Sequence, residues 1–81
     1  MVANYWTPVP GTEPSPMDLK VFAAVLMTST RAEAARRLGV SFWTITNHLA
    51  WLRIRLDCFD RMDMARKLGW LQVPDDLVPP E

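Results

Sequence analysis

The feature that most constrains this chain is a succession of helix start and stop signals between residues 15 and 70. Ser15 precedes Pro16, and Asp18 follows three residues after Ser15, which is the pattern of a capping box that opens an α-helix. The apolar residues that follow recur at helical spacing, and they are Leu19, Phe22, Ala23 and Leu26. The sequence therefore predicts a first helix over residues 16–27.

Two further helices are predicted on either side of a glycine. Thr30 and Glu33 form a second capping-box pattern, and Gly39 supplies the left-handed residue that commonly ends a helix. The short helix between them is expected to direct three apolar residues toward the core, Ala34, Ala35 and Leu38. Ser41 then caps a third helix, which is predicted over residues 42–56.

The third predicted helix has two different faces. One repeats apolar residues at the i, i+4, i+7, i+11 spacing of a buried stripe, namely Ile45, Leu49, Leu52 and Leu56. The opposite face presents a ring, a hydroxyl, an amide and a methyl group, from Trp43, Thr46, Asn47 and Ala50. One face is predicted to pack in the core, which leaves the other available to contact a partner.

A fourth helix and two tails complete the predicted organisation. Asp60 and Asp63 open the fourth helix, and Gly69 closes it. The first fourteen residues contain three prolines and a glycine without any period, so they are predicted to form an extended tail. Residues 73–81 are predicted to form a loose C-terminal tail. We expect an all-α fold with four helices over residues 15–72.

Length and composition exclude several classes of protein. A single domain of 81 residues buries only about 60 to 65% of its unfolded surface, so a large substrate pocket is not expected. Apolar residues make up 49% of the chain, which is too many for a disordered protein, and the longest apolar run, residues 21–27, is too short to span a bilayer. There is no export-signal pattern, and the single cysteine, Cys58, cannot form an intramolecular disulfide. The expected compartment is the cytoplasm.

The charges are unevenly distributed although the formal net charge is zero. Residues 31–55 contain five arginines and one glutamate, whereas residues 57–81 contain six acidic and three basic residues. Zero net charge argues against a protein that coats nucleic acid non-specifically. The basic segment has two interpretations that remain open here, a solvated helical face and a nucleic-acid surface.

Four short motifs succeed one another without a gap between residues 15 and 71. The first consists of Ser15, Pro16 and Asp18. The second consists of Thr30, Glu33, Ala34, Ala35 and Leu38. The third consists of Ser41, Thr44, Ile45, Thr46, Asn47 and His48, and the fourth of Arg55, Leu56 and Arg61. With two short helices around a glycine turn, this succession resembles the LuxR-type DNA-binding domain, also called the GerE or NarL type, of bacterial transcription regulators.

The chain departs from that family at informative positions. The first three motifs of the family are typically Thr-Pro-x-Glu, Ser-x-x-Glu-Ile-Ala-x-x-Leu and Ser-x-x-Thr-Val-Lys-x-His. Thr46 stands where the family usually has the lysine, and Ala50 where a polar or basic residue is common. Thr28 and Asp57 replace frequent glycines. Generic attraction to phosphate is therefore expected to be weaker than in the family. A stand-alone regulator of this kind suits a phage or mobile element.

The resemblance implies a helix-turn-helix domain whose third helix enters the major groove of double-stranded DNA. The residues expected to contact base edges are Trp43, Thr46, Asn47 and Ala50. Those expected to contact phosphates are Thr30, Arg31, Ser41, Thr44, His48, Arg53 and Arg55. His48 has packing or hydrogen bonding as an alternative role, and Trp43 could stack, wedge against thymine methyl groups or cover the core. The resemblance also implies a weak homodimer, strengthened on DNA, through Met62, Arg66 and Gly69.

Other functions have less support in the sequence. One histidine, one cysteine and no paired acids give no plausible nucleophile and base, so no enzyme activity, cofactor or metal site is expected. The alternative is a protein-interaction module that uses the same fold to dock on RNA polymerase, a sigma factor or another regulator. The zero net charge, Thr46 and the aromatic pair Phe42 and Trp43 favour that alternative.

Overall fold

A computed structural model describes residues 11–80. Within that range the helices are α1 (Pro16–Met27), α2 (Arg31–Leu38), α3 (Phe42–Leu56) and α4 (Arg61–Leu68), followed by a short 3-10 helix, Asp75–Leu77. Residues 11–80 contain no β-strand. The predicted all-α class and the four predicted helices are therefore confirmed. No helix in this part of the chain is both long and apolar enough to cross a membrane.

Each α-helix begins at a side-chain cap. The Ser15 hydroxyl accepts from the Asp18 N–H and the Asp18 carboxylate accepts from the Ser15 N–H, both at 3.1 Å, which completes the predicted capping box. The hydroxyl of Thr30 accepts from the N–H of Glu33 at 3.1 Å. The carboxylate of Glu33 accepts instead from the N–H of Ser29 at 3.0 Å, one residue before the cap. The remaining two helices start in the same way, at Ser41 and Asp60.

Three helices end in a left-handed residue. Gly39 and Gly69 have φ values of 69° and 75°, as the stop signals in the sequence predicted. Asp57 ends α3 with a φ of 54°. The ammonium group of Lys67 donates to the backbone carbonyls of Leu56 and Asp57, at 2.5 and 3.3 Å. This lysine therefore satisfies carbonyl groups that the end of a helix leaves without partners.

The core lies between α1, α2 and α3, and Met64 adds the contribution of α4. The predicted stripe on α3 is buried at Ile45, Leu49 and Leu52. The predicted core stripe on α1, which consisted of Leu19, Phe22, Ala23 and Leu26, was wrong at Leu26, which is 36% exposed, and it omitted three residues that are buried, Val21, Ala24 and Val25. The reason is that α1 contacts α2, α3 and the 3-10 helix, so it is covered on several sides.

The C-terminal segment packs against the domain, and the expectation of a loose tail was wrong in this respect. The 3-10 helix contacts α1, and Pro79 is buried. A cleft of about 420 Å³ lies between this segment, the start of α1 and the turn before α3.

At the N-terminal end of the described range, the N–H of Gly11 donates to the carbonyl of Arg55 at 2.9 Å. Most of the predicted N-terminal tail, residues 1–10, lies outside the described residues.

Candidate nucleic-acid interface

The outward face of α3 is continuous and uncharged. At about 100° per residue, four residues fall within about 60° of arc, namely Trp43, Asn47, Ala50 and Ile54. Trp43 is 67% exposed, Ala50 is exposed, and Asn47 is half-buried. Because the opposite face is anchored in the core, this face is held outward. Three of the four residues predicted to contact bases therefore lie together.

The fourth predicted base-contacting residue, Thr46, lies at the edge of this face. Thr46 as a whole is half-buried, and its hydroxyl oxygen is buried without a hydrogen-bond partner among residues 11–80. Arg53 follows two turns later on the same flank, and its Nε is also buried without a partner in the described chain. This flank of α3 thus contains polar groups whose hydrogen bonds are not made within residues 11–80.

The opposite flank of α3 is tied to α1 by a buried carboxylate. Asp18 is 1% exposed, and its Oδ1 lies 2.5 Å from Nδ1 of His48. Its Oδ2 forms an ion pair at 3.2 Å with Nε of Arg55, without hydrogen-bond alignment. The ring of His48 also lies edge-on to Trp51, with centroids 5.0 Å apart. His48 therefore has the hydrogen-bonding role that the sequence left open.

Arg55 also fixes the segment that precedes α1. Its guanidinium donates to the hydroxyl of Thr12 at 3.2 Å and to the carbonyl of Glu13 at 2.9 Å. Two of the predicted phosphate-contacting residues, His48 and Arg55, are consequently engaged within the protein. Sequence reasoning assigned Asp18 only a capping role and missed this cluster. The available signal was the seven-residue spacing of His48 and Arg55, which places both on one side of a helix.

The remaining predicted phosphate-contacting residues lie near the starts of α2 and α3. Thr30 and Ser41 are exposed caps, and Ser41 Oγ lies 3.0 Å from Thr44 Oγ1. Arg31 is half-buried at the first position of α2. Helix N-termini present free N–H groups and a partial positive charge, both of which suit an anion. These positions therefore bring hydroxyl groups and one arginine to two helix starts.

Part of the positive charge of α2 is neutralised locally. Glu33 lies 3.6 Å from Arg36 and 3.4 Å from Arg37. The hydrogen bond from the Ser29 N–H, followed by the charge of Arg37, lowers the pKa of Glu33. The side chain of Arg36 is nevertheless 76% exposed. Among residues 11–80, neither Arg31 nor Arg53 is in an ion pair.

The predicted dimer residues are all at the surface. Met62 is 64% exposed, Gly69 is exposed, and Arg66 is paired with Asp63 at 3.1 Å on an exposed side of α4. Phe59 is also 86% exposed just before this helix. Accessibility is what a dimer contact requires, and dimerisation stays a prediction.

The described side chains bear on two kinds of chemical site, metal sites and reactive thiols. Within residues 11–80 there is no group of three or more His, Cys, Asp or Glu side chains that could hold a metal ion. Cys58 is half-buried against the core, and burial raises the pKa of its thiol. A raised pKa disfavours the reactive thiolate.

No family model matches this chain, and no curated protein or solved structure matches it either.

Proposed function

We propose that this chain is a sequence-specific DNA-binding protein of the LuxR type, which regulates transcription by placing α3 in the major groove. The observation that carries the proposal is the outward face of α3, where the amide of Asn47 lies between exposed Trp43 and exposed Ala50. The short connection through Gly39 from α2 to α3 suits a helix-turn-helix, in which the second helix contacts the bases.

The proposed contacts divide by chemistry. Asn47 has a donor and an acceptor that can pair with adenine N6 and N7. The caps Thr30 and Ser41, together with Thr44, suit phosphates at the helix starts. Arg31 and Arg53 add positive charge along the DNA backbone. His48 and Arg55 reach phosphate only in competition with Asp18, so their first role in this proposal is to orient α3.

The proposal includes a weak homodimer on paired half-sites, with contacts from Met62, Arg66 and Gly69. The exposed apolar surface of Met62 supports this part. A small symmetric contact is below the size of a stable interface, so DNA is expected to strengthen it. Light scattering without DNA and cooperative binding to paired half-sites test this part separately.

Thr46→Lys and Asn47→Ala test the proposal, measured by fluorescence anisotropy on duplex DNA over a range of salt. Thr46→Lys adds one phosphate contact, so affinity rises and the slope of log affinity against log salt steepens by about 0.9. Asn47→Ala loses about 1 to 3 kcal/mol on the preferred site and little on random DNA. Wild-type protein that binds no duplex at low salt would contradict the proposal.

A specific observation also favours the interaction module as a second candidate. Phe42 and Trp43 are 54% and 67% exposed at the start of α3, and adjacent exposed aromatic residues are typical of protein-binding hot spots. RNA polymerase, a sigma factor or another regulator would then occupy the face. This candidate is favoured if Trp43→Ala abolishes binding to such a partner while Thr46→Lys leaves the affinity for DNA and its salt dependence unchanged.

A further inference from the structure

The residues on the outward face of α3 indicate which base pairs this face can recognise. Trp43, Asn47, Ala50 and Ile54 share this face, and none of them is charged. Arginine and lysine are the usual partners of guanine O6 and N7, and aspartate and glutamate accept from cytosine N4. The face therefore lacks the charged side chains that recognise a G·C pair.

The groups that are present match A·T pairs. The carboxamide of Asn47 complements N6 and N7 of adenine, while the methyl group of Ala50 and the ring of Trp43 suit the thymine C5-methyl group. Trp43 and Ala50 are separated by seven residues, or about 10 Å along the helix axis. At 3.4 Å per base pair, that length corresponds to about three successive pairs.

We infer that the chain selects a half-site rich in A·T pairs, in which Asn47 contacts an adenine and Trp43 and Ala50 contact thymine methyl groups on neighbouring pairs. The inference rests on the proposed DNA-binding function and names its ligand. Ile54 lies one turn beyond Ala50, away from the N-terminal part of the recognition helix that contacts bases in this motif.

The charge around the face supports duplex DNA as its occupant. Residues 31–55 contain five arginines and one glutamate. Among the described residues, Arg31 and Arg53 have no ion-pair partner, and Arg36 is 76% exposed. Arg53 lies on the flank of α3 next to the uncharged face, and positive charge beside base-contacting residues complements a duplex, in which the phosphates flank the base edges.

The inference is tested by selecting duplexes from a random library with the full 81-residue chain at low salt. The expected result is a run of at least about three A·T pairs at each half-site. In that site, replacing one contacted thymine by deoxyuridine removes one methyl group and should lower affinity about fourfold. Replacing the contacted adenine by 7-deazaadenine removes the N7 acceptor and should also lower affinity.

Variants assign these effects to side chains. Asn47→Ala should lower affinity about 5- to 150-fold and abolish the effect of 7-deazaadenine. Ala50→Gly should abolish the loss of affinity that follows when the thymine contacted by Ala50 is replaced by deoxyuridine. Gln72→Ala is the matched control, because it removes an exposed carboxamide after α4, and it should preserve every effect. Unfolding midpoints of the variants show that a loss of binding is not a loss of folding.

The outcomes separate this inference from the function on which it rests. Selection of a G·C-rich site that still requires Asn47 overturns the A·T inference and leaves DNA binding intact. If the protein retains no duplex, or retains all duplexes equally, both the A·T inference and the proposed sequence-specific DNA binding are overturned. An A·T-rich site that is insensitive to deoxyuridine and 7-deazaadenine overturns the assigned contacts, because the preference then arises from DNA shape.

Discussion

Two carboxylates of this chain have similar partners in different surroundings. Asp18 accepts from the N–H of Ser15 and faces His48 and Arg55. Glu33 accepts from the N–H of Ser29 and faces Arg36 and Arg37.

The difference between them is one of sequence distance and burial. The side-chain partners of Asp18 lie 30 and 37 residues away on α3, whereas those of Glu33 lie three and four residues away on its own helix. Asp18 is 1% exposed, while the side chain of Glu33 is 27% exposed. One carboxylate therefore joins α1 to α3, and the other acts within the start of a single helix.

Asp18→Asn is expected to have the largest effect on stability. It removes the buried negative charge that pairs with Arg55 and an oxygen that is hydrogen-bonded to His48, and breaking a buried ion pair in this way costs about 3 kcal/mol or more. Glu33→Gln, the matched change at the more exposed carboxylate, should cost much less. Urea unfolding of both variants measures the comparison, and equal losses would show that burial does not distinguish the two carboxylates.

Arg55→Met tests the same comparison from the side of the cation. It keeps much of the apolar stem of the side chain but removes a charged group that pairs with Asp18 and donates to Glu13. A loss of about 1.5 to 3 kcal/mol is expected, since hydrogen bonds to charged groups contribute in that range. Arg37→Met is the control on α2, and its smaller loss should shrink further in high salt.

The same contrast explains how much the sequence could predict. The caps and glycine stops depend on residues within four positions of one another, so the helix boundaries could be predicted from the sequence. The Asp18 cluster joins α1 to α3 across 30 residues, so the sequence predicted only its local half, the capping box. The packing of Pro79 likewise depends on a distant partner surface, and the adjacent prolines 79 and 80 give no periodic signal.

The candidate site was predictable to a similar extent. The helical period correctly placed Trp43, Asn47 and Ala50 on one outward face. It did not indicate that the hydroxyl of Thr46 is buried, because that depends on which neighbours cover the flank of α3. Basic residues counted along the chain also gave no indication that Arg55 is engaged by a buried carboxylate.

If α3 binds DNA as proposed, the two carboxylates should affect binding in different ways. Glu33→Gln removes a negative charge next to Arg36 and Arg37, so it should raise affinity for all duplexes and steepen the salt dependence slightly. Asp18→Asn alters how α3 is held, so it should weaken binding to the selected site. Anisotropy titrations at several salt concentrations distinguish these results. A steeper salt slope for Asp18→Asn but not for Glu33→Gln would show that Asp18, and not Glu33, offsets the positive charge that contacts phosphate.

The smallest expected effect is the dependence of stability on the titration of Glu33. The N–H of Ser29, with a further contribution from Arg37, lowers the folded-state pKa of Glu33 below its ordinary value of 4.5. Its contribution to stability is therefore fully present above the unfolded-state pKa and is lost as the pH falls through the lower folded-state pKa. Urea midpoints measured from pH 6 downward should fall more for wild type than for Glu33→Gln, and the two should converge in acid. Parallel curves would show that the contacts of Glu33 with Ser29 and Arg37 do not favour its ionised form.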